Sequence, residues 1–278
     1  MTPWLHLDAE SFSRDFGHAA FPLRHGLAGH PLTELPALAE LADSLDPADV
    51  EHNLGQVPDI APGGEVPKLD ATPGEIVRGI EENGSWIVLP LHRAPAGSPH
   101  LDLLDELVGE MSAQLAPREG RVVHRHAVIF LAAPRSTTPA HIDLEQGLLL
   151  QIRGAKDVAI GEWPDPVLKQ REVERMQSGG HRNVAAMPDN APTFHLEPGD
   201  GMHVPAFVPH LVKNGETISV SLSAGVRTEA TLRASSVHSC NARLRRLGLR
   251  PAPPGLHPRS DRVKASLVSS LKRGMPGA

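Results

Sequence analysis

The sequence predicts a mainly β protein, with a sandwich or jelly-roll core of short strands and helices flanking it. Three observations carry that reading. Between about Arg121 and Val226 the chain breaks into short apolar stretches separated by Gly and Pro turns. Pro (27) and Gly (25) are frequent in the 278 residues, which favours short strands and many turns over long helices. Apolar residues at helical spacing are concentrated outside that central stretch.

The elements follow in order. Ser11 to Phe16 and Leu35 to Leu45 read as short helices, and Asp46-Pro47-Ala48-Asp49-Val50 as a capped start or a turn. Thr72-Pro73-Gly74-Glu75 has the form of a capping box, with Pro at the first helical position. Trp86 to Leu91 is a strand. Leu101 to Leu115 is an amphipathic helix carrying Leu103, Leu104, Leu107 and Met111. Strands follow at Arg121 to Leu131, Gly147 to Ile152, Lys156 to Ile160, Thr193 to Leu196, Met202 to Pro205 and Glu216 to Val226. Asp165 to Gln177 is a charged helical insertion, read with the following loop to Asn190 as a lid. Cys240 to Leu247 and Arg262 to Lys272 are helical. The expected organisation is an α-rich region at 1–119 that also contributes outer strands, a core at 120–227 with an insertion at 164–192, and a basic helical extension at 228–278.

Composition excludes several classes. No apolar run approaches the roughly 18 residues of a membrane span. The single Cys240 rules out an internal disulfide framework and a cysteine-based zinc site, and with no signal-like N-terminus this points to a cytoplasmic protein. The net charge of -6 is uneven: Arg227 to Ala278 holds 11 Lys or Arg against Glu229 and Asp261. That tail lacks aromatics for base stacking, so nucleic acid is not the expected partner. A stripe of Val263, Leu267 and Leu271 would instead serve a homodimer contact or dock on the chain's own core.

Four His-x-acid pairs occur, at His6, His100, His141 and His195, where chance alone gives about two. His6 lies near a terminus, His100 at a helix start, and His195-Leu196-Glu197 runs into a turn. His141-Ile142-Asp143 differs. Read as a strand, it puts an imidazole and a carboxylate on one face. A further imidazole, His210, would complete a two-His, one-carboxylate site with three open positions, as in non-haem Fe(II) oxygenases, although Mn or Zn would accept the same ligands. The 69-residue separation fits opposite ends of a jelly roll. Lys156 follows 15 residues after His141, and a lysine pointing into a barrel needs an anion such as a dicarboxylate co-substrate. Thr138 could donate to the same carboxylate.

The run from His141 through Gln151-Ile152-Arg153-Gly154-Ala155-Lys156 resembles the JmjC/cupin-like 2-oxoglutarate oxygenases, most closely the branch containing the asparaginyl hydroxylase that acts on hypoxia-inducible factor. Gly199, Pro205, His210 and Asn214 fall at the intervals of a cupin motif, with Phe207 where Gly is usual. The resemblance spans roughly residues 120 to 226. It implies a double-stranded β-helix (cupin/jelly-roll) core, Fe(II) held by His141, Asp143 and His210, and 2-oxoglutarate held by Lys156 and Thr138, with O2 as the other co-substrate. Ser221 stands where the family often has Asn, and the family's co-substrate Tyr has no counterpart, since the chain contains no Tyr. Ser219, Ser221 and Ser223 alternate with Ile218, Val220 and Leu222, as if lining a polar interior face. The implied activity is hydroxylation of an unactivated C–H, on an amino-acid side chain in a peptide or protein. The alternatives are a free or carrier-bound small metabolite as substrate, or a metal-binding cupin that is no oxygenase at all, such as an isomerase or sensor.

Overall fold

The computed structural model describes residues 3–61, 67–189 and 191–273. The first half contains β1 (Leu5–His6), α1 (Ala9–Asp15), β2 (Phe21–His25), α2 (Leu35–Ser44), β3 (Glu51–Leu54), α3 (Pro73–Arg78), β4 (Ser85–Pro90), α4 (Pro99–Glu119) and β5 (Val122–Ala132). The second contains β6 (Thr137–His141), β7 (Gln146–Arg153), β8 (Lys156–Ile160), α5 (Pro166–Gln177), β9 (Thr193–Leu196), β10 (Asp200–Val204), β11 (His210–Asn214), β12 (Ser219–Thr228), α6 (Glu229–Arg246) and α7 (Pro258–Arg273).

The strands form two antiparallel sheets. The larger runs β1-β2-β10-β7-β12-β5-β4-β3 and the smaller β6-β11-β8-β9. The N-terminal residues supply β1, β2, β3 and β4 to the two ends of the larger sheet. The period-two pattern of β12 decides which face goes where. Ile218, Val220, Leu222, Ala224 and Val226 pack outward with Leu104, Leu107, Met111, Leu38 and Ile76 in one apolar core beneath α2, α3 and α4. Each such leucine, fully buried, stabilises the fold by about 1.5–3 kcal/mol. Ser219, Ser221 and Ser223 face the other way, toward the smaller sheet, as their alternation predicts. Between the sheets, Leu149, Met202 and Val204 meet Val158, Ile160 and Val212.

Local chemistry fixes the joints. Thr72 and Glu75 form the expected capping box on α3, and Thr228 with Thr231 form another where β12 runs straight into α6. The β7–β8 turn places Gly154 at φ +68, where an added Cβ would lie 2.3 Å from the Ile218 carbonyl oxygen. Only glycine fits there without displacing the turn.

The insertion is anchored rather than free. Glu172, Val173 and Glu174 of α5 are buried, and Glu174 accepts from Arg245 of α6 at 3.0 Å. Arg175 donates to the carbonyls of His181 and Asn183. Ile142 N–H donates to Arg182 O and Val184 N–H to Ala140 O, so residues 182–184 run beside the outer edge of β6. The expected lid therefore has a fixed wall at its C-terminal end. In α7 it is Val268 that is buried, while Val263 and Leu267 are exposed; the side chain of Leu271 lies outside the described residues.

Candidate metal and co-substrate site

His141 closes β6 and His210 opens β11. The two are direct partners in the antiparallel pair, and their rings lie 4.0 Å apart. They are neighbours in one sheet, not residues at opposite ends of the jelly roll. Sequence distance misled there because the 68 residues between them cross to the larger sheet and return. Asp143 also departs from expectation. β6 ends at His141, so strand alternation does not aim the carboxylate. A bend does: Asp143 O accepts from Phe207 N–H at 2.8 Å, while Ile142 N–H is held by Arg182 O at 3.1 Å. Phe207 sits at φ +65, a conformation natural to Gly and costly for other residues.

The three side chains converge. Asp143 Oδ2 lies 3.9 Å from His141 Nε2 and 3.5 Å from His210 Nε2. Among the described residues this is the one group whose donor atoms all fall within 4.8 Å of one another. The opposite ring nitrogens are tied down. His141 Nδ1 donates to Pro139 O at 2.8 Å, and His210 Nδ1 donates to Val208 O at 3.0 Å. Each Nδ1–H fixes a tautomer that leaves the Nε2 lone pair facing Asp143, which is how metal-binding histidines are oriented. Burial, and then His210, hold His141 well below its usual pKa and therefore neutral. Burial opposes ionisation of Asp143, but the two histidines and Arg182 outweigh it and keep the carboxylate charged. Two imidazoles and one carboxylate match the donor set of a divalent first-row ion with open positions.

The same cavity, about 200 Å³, takes in Thr138, His141, Asp143, Lys156 and His210. A β-bulge in β6 makes this possible. Thr138 opposes Val212 and His141 opposes His210, so three steps on one strand match two on the other. Both side chains then face inward despite their odd spacing. Lys156, 4% exposed, donates to Ser221 Oγ at 2.8 Å and makes no ion pair among the described residues. Burial alone pushes its pKa down to about 7. Ser221 is fully buried and supports Lys156; Ser223, two residues on, lines the cavity itself. A buried lysine without a counter-charge among the described residues, in a cavity with a cluster of three possible metal donors, is chemically suited to an anion.

Other residues at the cavity carried no motif. Arg182 Nη1 lies 3.5 Å from Asp143 Oδ1. Glu51, His126 and Glu145 also line the wall. Burial, and then Asp143, raise the Glu145 pKa. Burial, and then His92, push His126 down to about 4. The remaining histidine pairs are accounted for elsewhere. His6 and His195 are exposed, and His100 Nε2 donates to Leu32 O. His203 is structural: its Nδ1 donates to Gly147 O and its Nε2 accepts from Gly17 N–H.

The family model of the JmjC domain matches residues 106–233. That stretch is similar to JmjC domains. It contains the whole triad, Lys156, Thr138 and Ser221, and it ends within α6. Solved structures of YcfD from Escherichia coli share the fold. One X-ray structure is 18% identical, covering 99% of this chain and 70% of that one, with a TM-score of 0.55. A second, described as a ribosomal oxygenase in complex with cobalt and 2-oxoglutarate, is 18% identical over 98% of this chain and 68% of that one, at TM-score 0.53. A third, with cobalt and succinic acid, is 17% identical over the same shares, at TM-score 0.50. No curated protein matches the sequence significantly. Among the described residues, no helix is long and apolar enough to cross a membrane.

Proposed function

We propose that this protein is an Fe(II)- and 2-oxoglutarate-dependent oxygenase that hydroxylates an unactivated C–H of an amino-acid side chain in a peptide or protein. The observation that carries the reading is the pairing of the His141–Asp143–His210 cluster with the buried, unpaired Lys156 in one cavity. A metal site alone would serve an isomerase or sensor equally well. A fixed cation deep in the same small space calls for a co-substrate with two anionic ends, one on the metal and one on the lysine.

Iron and 2-oxoglutarate together supply the oxidising chemistry, taking up O2, releasing succinate and CO2, and delivering one oxygen atom to carbon. The chain's own residues bind, orient and exclude. His141 and His210 present their Nε2 atoms to the site because their Nδ1–H groups are held by Pro139 and Val208. Asp143 stays ionised beside them and Arg182. Lys156 would hold the remote carboxylate, with Ser221 holding the ammonium in place and the Thr138 hydroxyl within the same cavity. Val128, Phe130, Leu149 and Val204 wall the cavity and keep water out. The polar wall of Glu51, His126, Glu145 and Arg182 is where a substrate side chain would be positioned. The protein-substrate reading is supported by the JmjC domain and by the description of YcfD as a ribosomal oxygenase.

The test is coupled turnover. Fe(II)-loaded protein should convert 2-oxoglutarate to succinate, faster with a substrate peptide, and mass spectrometry should find one added oxygen on that peptide. Anaerobic Fe(II) and 2-oxoglutarate should give a weak visible charge-transfer band that His141→Ala abolishes. No band and no succinate would leave the non-oxygenase cupin reading standing. Succinate formation stimulated only by free amino acids would favour a small-metabolite substrate.

A further inference from the structure

The turn that delivers Lys156 is held from inside the sheet by a side chain that does not line the cavity. Gln151 lies on β7, just before that turn, and is fully buried. Its Nε2 donates to Arg153 O at 2.7 Å, to Gly154 O at 3.0 Å and to Ser219 Oγ at 3.1 Å. The two N–H bonds of the amide thus serve three acceptors, and one of them is shared. The partners fix the orientation of the amide: both turn carbonyls can only accept, so the nitrogen has to face them. Gln151 Oε1 is left buried with no partner. Buried acceptors are normally satisfied, and an apolar side chain at this position would avoid that penalty. What the amide supplies in return is its donors.

The residue itself is fixed on its main-chain side. Its carbonyl accepts from His25 Nε2 and from the Gly199 N–H, each at 2.9 Å. A β-bulge sets its partner on β12: Val220 opposes Arg153 and Ser221 opposes Gln151, so Ile152 is passed over. Gln151 and Ser221 are therefore cross-strand partners, and Ser221 Oγ accepts from Lys156 Nζ at 2.8 Å. One amide nitrogen ties the turn from which Lys156 departs to Ser219, which stands two residues before the serine that receives the ammonium. Lysine has a flexible stem, so its tip is only as well placed as its backbone and its hydrogen-bond partner. Gln151 fixes both. We propose that Gln151 is a positioning residue for the co-substrate: it holds Lys156 at one depth in the cavity and so sets its reach to the remote carboxylate, without touching that carboxylate. This role rests on the 2-oxoglutarate reading of the site.

The experiment compares two acids of equal chain length on the Mn(II)-loaded full chain, by calorimetry. 2-Oxoglutarate needs both anchors, whereas 2-oxopentanoate lacks the remote carboxylate and needs only the metal. Gln151→Met keeps the volume and removes the donors. It should weaken 2-oxoglutarate about tenfold and 2-oxopentanoate by less than about twofold, since only the first loses a charge-assisted contact. Mn(II) affinity, read by electron paramagnetic resonance, should stay at the parent value. In a Lys156→Met background, adding Gln151→Met should change 2-oxoglutarate affinity by less than about twofold, because the group it positions is gone. If circular dichroism shows Gln151→Met unfolded, Gln151→Asn replaces it: the amide is kept but is a methylene too short to hold the turn, and the same discrimination between the acids is expected. Equal losses for the two acids, a further loss in the Lys156→Met background, or an unchanged 2-oxoglutarate affinity would each overturn the proposal. A parent that binds 2-oxopentanoate as tightly as 2-oxoglutarate gives a different failure, and would overturn Lys156 as the anchor, the 2-oxoglutarate reading and this role together.

Discussion

Replacing Lys156 with Met should make the unliganded protein more stable while destroying its affinity for 2-oxoglutarate. The ammonium is buried against Ser221 with no carboxylate partner among the described residues, and its pKa falls from 10.5 to about 7. That difference of 3.5, at about 1.4 kcal/mol for each tenfold change in proton affinity, makes the charged form cost roughly 5 kcal/mol as an upper limit. Met fills a similar volume without the charge. Ser221 loses a partner worth about 1–3 kcal/mol, so the net gain at neutral pH should be a few kcal/mol at most. The pH dependence has a definite direction. The folded protein holds this proton less tightly than the unfolded chain. Stability therefore rises with pH between about 7 and 10.5, and the cost is fully present below 7. Thermal denaturation at about pH 6 and about pH 9.5 should show Lys156→Met more stable than the parent at the lower pH, with the gap narrowing at the higher one. Mn(II) plus 2-oxoglutarate should raise the melting temperature of the parent but leave the variant near its metal-only value. A variant less stable than the parent at both pH values, and still stabilised by 2-oxoglutarate, would refute the assignment of Lys156 as an anion receptor.

Ser221→Ala should keep the fold and kcat but raise the KM for 2-oxoglutarate roughly tenfold, since a charge-assisted hydrogen bond is worth about 1.5–3 kcal/mol; steady-state succinate formation reads the split. Gly154→Ala should cost about 2–4 kcal/mol in chemical denaturation, because it combines a left-handed backbone with an intruding Cβ. The same change should weaken 2-oxoglutarate binding, as that turn delivers Lys156. His141→Ala should lose bound metal by elemental analysis and all succinate formation, while circular dichroism stays that of the parent.

How far the sequence can be read depends on what each residue faces. β8 and β9 were legible at their ends because apolar residues alternate there, and α5 because its Asp165-Pro166 start caps it. β11, which bears His210, was not read as a strand, and β6 was read over His141–Asp143 where it actually runs Thr137–His141. Their inward residues, Thr138, His141 and His210, are polar because they face a cavity, so the alternation that announces a strand is missing. β2 does alternate, Phe21, Leu23 and His25 inward, yet Pro22 hid it; Pro is tolerated because the strand is short and near the sheet edge. The triad and Lys156 were identifiable from spacing and resemblance. The placement of Asp143 was not, since the bend that aims it is held by Phe207 and Arg182, 64 and 39 residues further along the chain. Arg182, Glu51 and Glu145 have no motif, and only the fold brings them to the cavity of the candidate metal site.

The pairing of residues 182–184 along β6 has a consequence for how this protein could be shortened. β6 is the outermost strand of the smaller sheet, and its far edge would otherwise present the Ala140 carbonyl and the Ile142 N–H to solvent beside the candidate metal site. The insertion answers those groups internally. Trimming it to a short turn would not give a faster, more open enzyme. It would leave a raw strand edge at the mouth of the site, the kind of surface that recruits other chains, and the expected product is a self-associating protein whose entrance is blocked by its own neighbours.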